Sequence, residues 1–191
     1  MRFLFILFLL PGLAWAQTSP TDYIRQNVDA VLSIITAPEY QEAASKDEML
    51  RRLEIVVDNF FDAQELSKRA VAQHWRLFTE PQREEFQQLF LALIKSVYLK
   101  RSLEYTDEVV IYNQEILKSE TLAEVYTTVT SSKLNVPVTY FLIKREGVWR
   151  VYDVSVENVS LVRNYRSQFQ SILQRNTPEQ LIAILREKAN E

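Results

Sequence analysis

The chain of 191 residues balances 22 basic against 25 acidic side chains, a net charge of −3, so it offers no basic field for nucleic acid or anionic lipid surfaces. It has no cysteine and a single histidine, which excludes disulfide staples, thiolate metal sites and multi-histidine sites. Only Gly12 and Gly147 are glycines, too few for a loop that cradles phosphate.

The N-terminus reads as a secretory signal peptide. Arg2 precedes the apolar run Phe3 to Leu10, a Pro11-Gly12 break and the small-residue site Ala14-Trp15-Ala16. Cleavage is expected after Ala16, because the apolar run falls short of the roughly 20 residues that span a bilayer. Residues 17–191 are expected to form one domain outside the cytoplasm, helical over 17–104, a sheet over 105–157 and helical again over 160–190.

Ser19-Pro20-Thr21-Asp22 joins a capping serine, a first-turn proline and an acid, and Ile24, Val28, Val31, Leu32 and Ile35 follow on one face. A first helix is predicted, ending near Pro38. Ser45-Lys46-Asp47-Glu48 is a capping box for a second helix carrying Met49, Leu50, Leu53, Val56 and Val57. Asp62-Ala63-Gln64-Glu65 starts a third, short helix with Leu66, Ala70 and Val71 that ends near Trp75. Thr79-Glu80-Pro81-Gln82 caps a fourth and long one, with Phe86, Leu89, Phe90, Leu93, Ile94, Val97 and Tyr98 at steps of three and four.

From Tyr105 the apolar period changes to two. Strands are predicted near Glu108 to Glu115, Ala123 to Thr130, Val136 to Lys144 and Val148 to Val156, with short connections that imply an antiparallel meander. A two-residue turn at Glu146-Gly147 places Tyr140, Leu142, Val151 and Asp153 on one face, and Phe141, Ile143, Tyr152 and Val154 on the other. Both faces are then apolar, and an antiparallel sheet ordinarily keeps one face wet. Helices cover one face. Further helices, a partner or an apolar ligand are left to cover the other.

The stretch from Trp149 to Phe169 passes from strand to helix through a corner at Glu157-Asn158-Val159-Ser160. Asn158 tolerates a left-handed backbone, and Ser160 can cap the helix that carries Leu161, Tyr165 and Phe169. Thr177-Pro178-Glu179-Gln180 opens a closing helix with Leu181, Ile182, Ile184 and Leu185. The fold class is therefore α+β, a four-stranded antiparallel meander packed with about six helices.

Few residues offer chemistry. His74, beside Trp75 at a helix end, reads as a structural or capping residue. Asp153 lies inside an apolar strand. It is either a general base with a raised pKa or a hydrogen-bonded structural acid paired with Arg163 or Arg166. The stripe of Phe86, Phe90, Leu93, Ile94, Val97 and Tyr98 is either core or the wall of a cavity, and periodicity does not separate these. Lys95, Lys100 and Arg101 complement the dipole of their helix on a solvated face, or meet a phosphate at a pocket mouth.

The order of these motifs resembles one family. Thr79-x-x-Gln82-Arg83-Glu84-x-Phe86, then Tyr98 and Tyr105, then Trp149-Arg150-Val151-Tyr152-Asp153-Val154, Glu157-Asn158-Val159-Ser160-Leu161 and Asn164-Tyr165-Arg166-Ser167-Gln168-Phe169 resemble the MlaC family of periplasmic phospholipid-binding proteins, also known as toluene-tolerance auxiliary proteins. The resemblance covers nearly all of the chain after Ala16, and departs from the family at Asn158, where glycine is expected. It implies a sheet curved around an apolar lipid cavity, and a monomeric shuttle, not an enzyme, that carries phospholipid between an outer-membrane lipoprotein complex and an inner-membrane ABC transporter, keeping outer-membrane lipids asymmetric. Phospholipid is then cargo, and neither cofactor nor metal is expected. Its acyl chains are expected against Phe86, Phe90, Leu93, Ile94 and Val97 on one side and Tyr140, Leu142, Trp149 and Val151 on the other. Two other classes stay open: an exported enzyme with Asp153 as base, and a lipid-free, oligomeric interaction module.

Overall fold

The structure is a computed structural model that describes residues 18–40, 46–102, 108–132 and 134–189. The signal peptide, Ser45 of the second capping box and Tyr105 lie outside the described residues. Helices α1 (Pro20–Ile35), α2 (Lys46–Phe60), α3 (Ala63–Val71) and α4 (Glu80–Ser102) precede strands β1 (Val109–Leu117), β2 (Leu122–Thr130), β3 (Asn135–Arg145) and β4 (Val148–Val156). A two-residue strand β5 (Val159–Ser160) then leads into α5 (Leu161–Leu173) and α6 (Pro178–Ala189).

Local chemistry sets most of these boundaries. The Ser19 hydroxyl accepts the Asp22 N–H at 3.0 Å, and the Asp62 carboxylate accepts that of Glu65 at 2.7 Å. Gln82 and Gln180 reach back to the Thr79 and Thr177 N–H groups, the reciprocal half of a capping box. One expected helix breaks early: α3 stops at Val71, and Ala72 takes φ 48 before a 3₁₀ stretch, Ala72–Leu77. Short turns of this kind divide a segment whose apolar spacing alone reads as one helix.

The sheet is an antiparallel meander in the order β1-β2-β3-β4-β5. Its fifth strand was not expected. Glu157 and Asn158 both take positive φ, 49° and 66°, which closes a two-residue turn and pairs Val159 back on Val156. Asparagine thus keeps the corner where glycine was expected.

The β3–β4 register differs from the expected one. Leu142 opposes Val151, but Phe141 opposes Asp153 and Tyr140 opposes Val154, so one extra residue, Tyr152, is bulged out of β4. Beyond the bulge the faces exchange: Val154 joins Tyr140 toward the helices, and Asp153 leaves that face. The outer face stays partly exposed, with polar side chains laid over it. The Arg69 guanidinium lies 4.0 Å over the Tyr152 ring, and Lys118 pairs with Glu124 at 3.1 Å.

Among the described residues three apolar clusters result. Phe78, Phe86, Phe90 and Ile94 pack with Tyr165 and Phe169 of α5 and with Leu181, Ile182 and Leu185 of α6. A second cluster joins Ile24 of α1 to Ala123, Val125, Leu142, Trp149 and Val151 of the sheet. The third, Tyr40, Met49 and Leu53, locks α1 to α2.

Candidate functional site

Among the described residues, packing between helices and sheet is incomplete and leaves two apolar cavities, of about 370 and 260 Å³. The larger is lined by Val57, Phe61, Ile94, Lys95 and Tyr98 on one side, and by Val154, Val156, Val159, Ser160, Leu161 and Asn164 on the other. The smaller lies between α1 and α2, against Asn27, Val28, Val31, Leu32, Val56, Val57, Phe60, Phe61 and Tyr140. Val57 and Phe61 line both, so these two side chains are the partition.

The partition is anchored from below. α2 ends at Phe60, where the Tyr23 hydroxyl donates to the Asn59 and Phe60 carbonyls at 2.9 and 3.1 Å and Arg150 donates to the Asn59 carbonyl at 2.6 Å. These donors satisfy helix-end carbonyls that would otherwise need water. Phe61 then forms an isolated parallel bridge with Val151, and the Asp62 N–H donates to the Val151 carbonyl at 2.8 Å. Phe60 meets Phe61 and Tyr140 edge to face, with centroids 5.1 and 6.0 Å apart. The helix end is thus stitched to the sheet.

The walls carry almost no charge. Burial pushes the Tyr140 hydroxyl up to about 12, so it stays neutral across the physiological range. Exposed apolar residues gather at the rim of the larger cavity: Tyr98 and Val156 are both 42 % exposed and Val159 is 64 % exposed. A rim of this kind is characteristic of a binding mouth rather than of ordinary surface. At the same rim the Lys95 ammonium pairs with the Asp58 carboxylate at 2.8 Å.

Of the residues expected from sequence to line a lipid site, Ile94 and Tyr140 line these cavities. Phe86 and Phe90 are fully buried among α5 and α6 aromatics, with Phe90 5.0 Å from Tyr165 and 5.2 Å from Phe169. Leu93 packs on the edge of that cluster, and Val97 is exposed beside Tyr98. Leu142, Trp149 and Val151 are buried in the sheet cluster, beneath the cavities rather than in their walls. The sequence reading missed the contributions of α1, α2 and the β4–α5 corner. A usable signal was Val56 beside Val57: neighbours on a helix diverge by about 100°, so two adjacent valines with Phe60 imply a helix that buries more than one face.

His74 stands apart from this site, and Asp153 meets it only through Ser160, which lines the larger cavity. One Asp153 oxygen accepts the Ser160 hydroxyl at 2.6 Å and the other accepts the Val162 N–H at 3.0 Å. Its partners are therefore the cap of α5, not the expected Arg163 or Arg166; Arg166 donates instead to the Arg69 carbonyl at 2.8 Å. His74 sits in the 3₁₀ stretch with its Nδ1 buried and unpartnered. Lys100 and Arg101 lie outside the residues whose side chains are described.

An α+β domain that leaves a divided apolar cavity between sheet and helices belongs to the class of folds built to enclose hydrophobic material. The chain belongs to the MlaC protein family, whose model matches residues 25–187. It is similar to the toluene tolerance protein ttg2D of Pseudomonas putida, with 26 % identity over 175 residues, 91 % of this chain and 81 % of that protein. Its fold is similar to the structure of a phospholipid-binding protein from Ralstonia solanacearum in complex with a phospholipid. The TM-score is 0.76 at 22 % identity, over 88 % of this chain and 95 % of that one.

Proposed function

We propose that this protein is a periplasmic phospholipid carrier, exported by its signal peptide and working as a monomer formed by residues 17–191. The single observation that carries the proposal is the divided apolar cavity, with Val57 and Phe61 between its halves and an exposed apolar rim at Tyr98, Val156 and Val159. Two apolar compartments suit two acyl chains. The volumes together fall in the range of single ligand sites, roughly 300–1,000 Å³. The phospholipid in the similar Ralstonia protein supports the same reading.

Two acyl chains hold on the order of 30 methylenes, and exposing them at about 0.8 kcal/mol each costs more than ~20 kcal/mol. Free lipid therefore does not cross water at useful rates. A dry cavity replaces bilayer hydrocarbon with similar surroundings, so loading is close to an exchange and reverses readily. Direction then comes from the partners, an outer-membrane lipoprotein complex and an inner-membrane ABC transporter. The chains lie against Val28, Val57, Phe61 and Tyr140 in one half and against Ile94, Val154 and Leu161 in the other. Phe86, Phe90, Leu93, Leu142, Trp149 and Val151 support these walls from behind.

Native mass spectrometry of protein isolated from the periplasm without detergent, coupled to lipid extraction, tests the proposal. A monomer bearing phospholipid is expected. Protein that remains lipid-free after incubation with phospholipid vesicles overturns it.

A further inference from the structure

A polar cleft of about 430 Å³ runs between α2, α3 and α4, and it meets the larger apolar cavity at one residue, Lys95, which lines both. The cleft is walled by Asp58 and by Glu84, Gln88 and Leu91 of α4. These α4 positions precede Lys95 by 11, 7 and 4 residues, so they share its helix face. The Lys95 side chain is only 18 % exposed, its stem against apolar walls and its ammonium 2.8 Å from Asp58, which is 49 % exposed.

The chemistry along this path is ordered. From the cavity outward come apolar walls, one cation, a carboxylate beside it, then an amide and a second carboxylate, Glu84. We propose that cavity and cleft form one composite site that selects an aminophospholipid, whose acyl chains are followed by a phosphate and then by a primary ammonium. The proposal rests on the carrier reading and adds the headgroup class to it.

Binding exchanges ion pairs. The lipid phosphate takes the Lys95 ammonium from Asp58, and the lipid ammonium takes its place on Asp58. Neither protein charge is left without a partner, which is the costly outcome for a half-buried ion. A phosphoglycerol headgroup brings the phosphate but no cation, so it leaves Asp58 facing an anion in a cleft where two carboxylates already outnumber one lysine. A quaternary choline supplies the charge without an N–H donor, and loses the charge-assisted hydrogen bond.

The test incubates the purified mature protein with vesicles of phosphatidylethanolamine, phosphatidylglycerol and phosphatidylcholine in equal parts with matched acyl chains. Bound lipid is then counted by native mass spectrometry after re-isolation. Wild type is expected to hold phosphatidylethanolamine over phosphatidylglycerol by about tenfold, the scale of one charge-assisted pairing. Asp58→Asn is expected to reduce that ratio to about threefold or less. A wild-type lipid share equal to the vesicle mixture overturns the proposal, as does an unchanged ratio in folded Asp58→Asn. If Asp58→Asn does not fold, the wild-type ratio decides. Lipid bound without preference sinks only the headgroup proposal, whereas absence of all lipid from wild type sinks the carrier reading beneath it.

Discussion

At the residue scale, Asp153 fastens β4 to the first turn of α5 with both of its carboxylate oxygens. The Ser160 hydroxyl completes the cap by accepting the Arg163 N–H at 3.0 Å. Asp153→Ala is expected to lower unfolding stability by about 2 kcal/mol, the upper range for a lost cap, with lipid content per folded molecule unchanged; denaturant titration measures the first and mass spectrometry the second. Ala72 makes the opposite kind of prediction. Its φ of 48° and ψ of −122° suit glycine, so Ala72→Gly relieves strain that exceeds the added chain entropy. A gain of about 1 kcal/mol is expected, readable as a rise of roughly 2–4 °C in Tm. Tyr140 carries a pH dependence. Its folded pKa of about 12 lies above the ordinary 10.0, so the unfolded chain loses this proton first as pH rises. The contribution is fully present below pH 10 and disappears between pH 10 and 12. Tyr140→Phe is expected to flatten the loss of stability over that interval in alkaline denaturation.

Elements meet through a few charged or polar clamps, and the clearest joins α3 to the β3–β4 hairpin. Arg145 reaches Asp62 at 2.8 Å and Glu65 at 2.9 Å, carboxylates that are only 6 % and 8 % exposed. Arg145→Met leaves Asp62 short of its cation, and a cost of about 2 kcal/mol is expected, between the values for exposed and buried pairs. Element positions were mostly legible in the sequence, because Ser19, Asp62, Thr79, Ser160 and Thr177 announce helix starts by local chemistry. The bulge at Tyr152 was not. Both alternating sets of β4 are apolar, so a one-residue shift costs no visible pattern, and only the helices beneath the sheet decide which set turns inward. The Ala72 break was hidden for a similar reason, since Leu66, Ala70 and Val71 continue in helical step toward Trp75 and no glycine or proline interrupts them.

For the whole molecule, the cavity depends on where packing stops. The sequence marks Phe86 and Phe90 as strongly as any wall residue, yet they fill the α4–α5–α6 core, because Tyr165 and Phe169 present matching aromatic edges at 5.0 to 5.6 Å. Apolar periodicity says that a residue is covered, not whether side chain or void covers it. The site became readable only from three-dimensional neighbours, above all Val57 and Phe61, which face both compartments. Val57→Trp places a large ring in both at once, whereas Phe90→Leu perturbs the core behind them at a cost of about 1 kcal/mol. The most direct measurement is the phospholipid content of these two variants beside wild type, by native mass spectrometry after incubation with vesicles. The carrier account predicts that folded Val57→Trp is nearly empty while Phe90→Leu stays loaded. A Val57→Trp protein that carries the wild-type load would contradict it.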